Sequence, residues 1–128
     1  MNWKYKVVTG AALMTLTIGL SAATAAPAAA MGPCPKGKLC LYEGVGYIHL
    51  DVTSTSTKAC IYLFKFGDYK FKDGIGSYIN DLPVNAVVYH RSGSSYIVDG
   101  TIRPQGFSSM TGGYFGKSGA VCMGGVKP

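Results

Sequence analysis

Cysteine is the most reactive side chain in this sequence, and it occurs four times, at Cys34, Cys40, Cys60 and Cys122. Thiols can bridge, bind metal or act as nucleophiles. Structural zinc sites gather donors at short spacings such as C-x-x-C. No such pair occurs, and His49 and His90 are not spaced with the thiols. An even number of cysteines in a small exported chain reads as two disulfides. Three connectivities are open. Cys34–Cys40 would close a small loop in which Pro35 and Gly37 favour a turn, and Cys60–Cys122 would then join the first half of the chain to its tail. A swapped pairing that ties the N-terminal segment to the tail stays open.

The other groups with chemistry to offer are Glu43, Asp51, Asp68, Asp73, Asp81 and Asp99, with His49 and His90. A retaining glycosidase holds two carboxyls ~5 Å apart, and nothing in the Glu43–Asp51 spacing demands that. His49 lies between aliphatic residues of a β-prone run, and His90 ends another such run. Both read as surface or strand-end histidines. No serine has a G-x-S-x-G context. With the thiols committed to bridges, no catalytic constellation stands out, and the expectation is a protein that is not an enzyme and uses no cofactor.

The elements that position these groups begin after an export signal. Lys4 and Lys6 precede an uncharged apolar stretch, Val7 to Leu20, followed by small residues through Ala30. This is the layout of a cleaved signal peptide, and the stretch is short against the ~20 residues of a membrane span. Cleavage after Ala30, rather than after Ala26, leaves a mature domain of residues 31–128 that is secreted and extracellular. The chain carries a net charge of +6, of which Lys4 and Lys6 supply two units that leave with the signal. The remaining bases are scattered, with no run of four. That suits a solubilising surface, with at most a weak long-range attraction to anionic membrane surfaces. Nucleic acid is not an expected partner.

The mature part contains one pattern twice. Leu39-Cys40-Leu41-Tyr42, a Gly-bearing turn and Tyr47-Ile48-His49-Leu50 recur as Val87-Val88-Tyr89-His90, a turn at Ser92-Gly93 and Tyr96-Ile97-Val98. Tyr42 and Tyr89 stand 47 residues apart, so the domain reads as two similar halves, roughly 36–83 and 84–124, each one supersecondary unit. Strand signals fall at Leu39–Tyr42, Tyr47–Val52, Ala59–Phe66, Ala86–His90 and Ser95–Val98, with weaker ones at Gly76–Asn80, Gly100–Ile102, Gly113–Phe115 and Ala120–Met123. Ala59–Phe66 lacks polar alternation and is expected to be covered on both faces. Frequent turn residues between short strands suggest an all-β sandwich or barrel. Helices should be short or absent, and most aromatic side chains should lie in the core or pair across strands.

Cys34-Pro35, Gly37, Leu39-Cys40-Leu41-Tyr42, Gly44 and Gly46-Tyr47, together with Gly76-Ser77-Tyr78-Ile79-Asn80 before Ala86-Val87-Val88-Tyr89 and the late Cys122, resemble the secreted crystallin-type peptidase inhibitors of actinobacteria. The founding member of that family inhibits thermolysin-like metalloproteinases. The resemblance implies a βγ-crystallin-like sandwich of two Greek-key motifs, stapled by disulfides. It also implies a monomer that blocks the cleft of an extracellular protease with a rigid loop.

Two departures limit what carries over. The founding inhibitor brackets its reactive loop with a short-range disulfide in the second half, where this chain has only Cys122, so the inhibitory loop is left unassigned. Crystallin-type calcium loops supply two adjacent Asp or Asn residues followed by hydroxyls. Lys72-Asp73-Gly74-Ile75-Gly76-Ser77 keeps only Asp73 and Ser77 as weak calcium candidates, and Pro104-Gln105-Gly106-Phe107-Ser108-Ser109 keeps two serines without an acid. Calcium favours six to eight oxygens including carboxylates, so no metal site is expected. Two other readings follow from the charge and the fold: a cationic antimicrobial or killer-toxin-like protein, and a calcium-stabilised crystallin-type envelope protein.

Overall fold

Runs rich in branched and aromatic residues form the strands in a computed structural model, which describes residues 33–67 and 70–128. The expected signal, residues 1–30, and the turn residue Asp68 lie outside the described residues. The strands are β1 (Leu39–Tyr42), β2 (Leu50–Ser54), β3 (Ala59–Tyr62), β4 (Ser77–Asn80), β5 (Ala86–Ser92), β6 (Ser95–Ile102), β7 (Phe107–Ser108) and β8 (Ala120–Met123), with a 3-10 turn at Leu63–Phe66. They build two four-stranded sheets, ordered β2-β1-β4-β7 and β3-β8-β5-β6, in which every pairing is antiparallel. The described residues form an all-β domain.

The third strand of each half crosses to the other half's sheet. β3 pairs with β8, and β7 pairs with β4. Strand side chains alternate between faces, and the inward ones meet in one cluster. Leu39, Leu41 and Val52 from the first sheet pack with Ala86, Val88, Ile102, Val121 and Met123 from the second. Leu63, Phe71, Ile75 and Leu82 from the connections complete it. Each of these side chains larger than alanine contributes about 1.5–3 kcal/mol by leaving water.

The repeat is visible in the register. A β-bulge interrupts β1–β2 between Leu41 and Tyr42 and β5–β6 between Val88 and Tyr89. Tyr42 and Tyr89 therefore hold matching places, although Tyr42 ends its strand and Tyr89 lies inside the longer β5. Gly76 and Gly119, each one residue before the last strand of its half, also match. A Cβ on Gly76 would stand 2.5 Å from the Glu43 carbonyl oxygen, and one on Gly119 would stand 1.7 Å from that of Tyr89. Only glycine fits there.

Several sequence expectations change. The strand expected at Tyr47–Val52 begins at Leu50, because Tyr47 and His49 adopt left-handed backbone angles, φ 61° and 62°. The strand expected over Ala59–Phe66 stops at Tyr62. Leu63 N–H donates to Gly119 O at 3.0 Å, just outside the start of β8. Beyond that bond no partner strand continues, so the chain turns and leaves Phe64 and Phe66 exposed rather than covered. Gly113–Phe115 forms turns, not a strand, with φ near +90° at Gly112 and Gly113. The separate strands expected at Ser95–Val98 and Gly100–Ile102 are one, β6, which runs through Asp99. The two residues of β7 gave no signal in the sequence.

Candidate interaction surface

The cysteines pair as Cys34–Cys40 and Cys60–Cys122, and no cysteine is free among the described residues. Cys60 and Cys122 face each other in the β3–β8 register. Cys40 and Cys122 alternate with the core residues of β1 and β8, so both bridges lie on the outward faces of their sheets. Cys122 packs there with Tyr89 and Ala120 in a second buried cluster. On the other sheet, the Tyr42 hydroxyl donates to the Pro33 carbonyl and its ring meets Tyr47 edge-on at 5.5 Å. Burial, then the neighbouring Tyr47, pushes the Tyr42 phenol above its ordinary pKa.

The Tyr42–Tyr47 contact opens the connection between β1 and β2, an exposed loop tethered by several hydrogen bonds. Glu43 N–H donates to His49 O and Gly44 N–H to Ile48 O, each at 3.0 Å. Gly46 N–H donates to Ser109 O at 2.7 Å, across from the second half. Tyr47 N–H donates to Ser77 Oγ at 3.0 Å, while that hydroxyl donates to Gly44 O at 2.6 Å. These bonds hold Tyr47 and His49 in a region that costs non-glycine residues of order 1–3 kcal/mol. The loop turns Val45 and Ile48 outward, 49% and 54% exposed, and Met110 beside Ser109 is 67% exposed.

Ser77, a calcium candidate in sequence, thus has its hydroxyl engaged on both sides by this loop. Asp73 is exposed, and its carbonyl accepts from Tyr114 N–H at 2.9 Å. The other calcium-type segment, Pro104–Ser109, forms the turn into β7 and β7 itself. Among the described residues, no three His, Cys, Asp or Glu side chains gather as a metal group.

The acids and histidines mostly brace the backbone. Glu43 Oε2 accepts from Phe71 N–H at 3.2 Å. Asp51 forms an ion pair with Lys70 at 2.8 Å. Asp81 accepts from Gly37 N–H at 2.6 Å and from the Gln105 amide at 2.8 Å. These two bonds and Lys36 hold its carboxyl below the usual range. His90 Nδ1 meets Asp99 Oδ1, a pairing that sequence spacing did not reveal, and Asp99 Oδ2 accepts from Gly116 N–H at 2.7 Å. The pair borders an open cavity of about 370 Å³ with Arg91, Tyr114, Phe115 and Lys117. Hydrolytic use of an Asp–His pair needs a nucleophile within hydrogen-bond reach. The aliphatic hydroxyl lining this cavity, Thr111 Oγ1, instead donates to Ile75 O at 2.6 Å. The pair is a brace for the loop before β8.

The sequence model of peptidase inhibitor family I36 matches residues 27–100. No curated protein and no solved structure matches the chain.

Proposed function

Because the chain belongs to peptidase inhibitor family I36, we propose that it is exported, oxidised outside the cell, and blocks an extracellular peptidase by lodging a rigid loop in the substrate cleft. Membership of an inhibitor family makes the protein an inhibitor and not an enzyme. The family match is the observation that carries this reading. Supporting it, both disulfides brace the framework from outside the core, and an exposed loop is pinned by both halves. A loop ordered before docking loses little conformational freedom on binding, which is how small stapled scaffolds reach high affinity.

We read the architecture as two Greek keys of crystallin type. The strand order supports this, since three strands of each half share a sheet and the remaining one closes the other sheet. The matched bulges support it as well.

The test is titration of the oxidised mature protein, residues 31–128, against serine, cysteine and metallopeptidases with peptide substrates. Stoichiometric inhibition of one class, abolished by reduction of the disulfides, is the expected result. Hydrolysis unaffected in all three classes would refute the inhibitor reading. Vesicle permeabilisation that salt suppresses would then favour the cationic toxin.

A further inference from the structure

An inhibitor of this kind must offer a side chain that fills a subsite and a backbone that does not have to be ordered first. Five exposed segments compete for that role. The connection before β8 is well tethered and exposes Tyr114, but Lys117 caps that ring at 5.0 Å. The β5–β6 hairpin tip, Ser92–Ser95, is rigid but presents only serines and Gly93. The 3-10 turn exposes Phe64 and Phe66, but the Phe64 ring leans on Tyr62 at 6.0 Å and Lys65 caps the Tyr62 ring at 5.2 Å. Phe64 already packs against the protein, and among the described residues the backbone of this turn has no tether from the second half beyond Leu63 N–H to Gly119 O. The turn Arg103–Gly106 is well tethered, yet the Gln105 amide is drawn back to Asp81.

The β1–β2 loop meets both requirements. Its backbone is fixed by bonds within itself and by Ser77 and Ser109 on neighbouring elements. Two non-glycine residues there hold left-handed angles, a strain that persists only where the surroundings over-determine it and that clusters at binding sites. Val45, Ile48 and Met110 are exposed on either side of the Gly46–Ser109 hydrogen bond. The loop also lies inside the segment that matches the inhibitor family.

We infer that the β1–β2 loop, Val45–His49 with Met110 beside it, is the element that enters the peptidase, and that the target has apolar subsites accepting branched aliphatic side chains. This rests on the inhibitor reading. Ile48 and Val45 fill subsites, and Ser77 holds the loop in its docking shape from behind.

Ile48→Asp and Val45→Asp place a charge on an exposed loop and leave the folded scaffold intact, which the oxidised mass and melting temperature verify. Each should weaken inhibition of the peptidase that the wild type blocks by about 30-fold or more, as for a central anchor of an interface. Phe64→Asp and Arg103→Asp should leave it unchanged. Ser77→Ala keeps every outward side chain and should weaken inhibition while making the 45–49 loop sensitive to cleavage. Full inhibition by both loop variants would overturn the assignment and leave the inhibitor reading standing. A wild type that inhibits no peptidase overturns both.

Discussion

Asp51 and Asp99 are the extra residues of two bulges at matching places in the two halves. Leu41 pairs with Val52 and Tyr42 with Leu50, leaving Asp51 over, while Val88 pairs with Gly100 and Tyr89 with Val98, leaving Asp99. A bulge re-aims its extra side chain, and here both carboxylates turn toward the connection that precedes the last strand of their half. Asp51 meets Lys70, and Asp99 meets His90 and Gly116 N–H.

The two carboxylates should differ in cost. Asp99→Ala strands the Gly116 N–H and unties the loop before β8, so unfolding in urea should show a loss of about 1–3 kcal/mol. Asp51→Ala breaks an ion pair whose lysine is half exposed and should cost no more than about 1 kcal/mol. Equal losses would mean that the two bulges carry equal loads.

Replacing the tyrosines at the matched bulges tests the repeat itself. Tyr42 is fully buried and Tyr89 is 7% exposed. Tyr42→Ala and Tyr89→Ala should each cost about 3–5 kcal/mol. One silent substitution would show that the halves are not energetically equivalent.

The bridges should contribute unequally. Cys34–Cys40 spans a sequence separation of 6 and Cys60–Cys122 one of 62. By loop-closure entropy the short one is worth about 2 kcal/mol and the long one about 4 kcal/mol. Paired Cys→Ala variants measured by denaturant should rank in that order. The mass of the secreted protein should be four hydrogens below that of the reduced chain.

Stability should fall at both ends of the pH scale for separate reasons. The folded-state pKa of Asp81 is lowered by the Gly37 N–H, the Gln105 amide and Lys36. Its contribution is therefore present above the unfolded value of ~3.9 and is lost as pH falls through the lower folded value. Asp81→Asn should flatten this acid limb. The phenols of Tyr42 and Tyr47 are raised, chiefly by burial. Their contribution is full below the unfolded value of ~10 and is lost as pH rises through the higher folded values. Tyr47→Phe should flatten the alkaline limb.

Calcium should change the melting temperature little, because Ser77 Oγ is engaged by Tyr47 N–H and Gly44 O and Lys72 adjoins Asp73. Binding at a hundredfold excess over Kd would add about 2.7 kcal/mol. A calorimetric rise of that size, abolished by Asp73→Ala, would overturn this expectation.

Much of the framework was legible because local chemistry dictates it. Leu39–Tyr42 and Ala86–His90 are β-prone runs bounded by turns, and the recurrence of Tyr42 at Tyr89 marked the halves. The loop was not legible. Tyr47 and His49 read as strand residues, and they are held otherwise by Ser77 and Ser109, far along the chain. The strand signals Ser95–Val98 and Gly100–Ile102 break at Asp99, although that residue sits inside β6, where only the pairing with β5 reveals the bulge. The family match came from residues that sequence could weigh, whereas the docking element depends on hydrogen bonds between distant segments.

The exchange of third strands has a kinetic consequence. β3 cannot find β8 until the chain from Tyr62 to Ala120 has been brought round, and β4 lacks its neighbour until Phe107 arrives. Non-local pairings of this kind raise contact order and slow folding, and they make either half alone a poor folding unit. A Cys60–Cys122 bond formed early would hold together the paired strands that lie furthest apart in sequence, so refolding with that bridge intact should be faster than refolding from the reduced chain. Oxidation thereby sets the pace at which this domain becomes a folded protein.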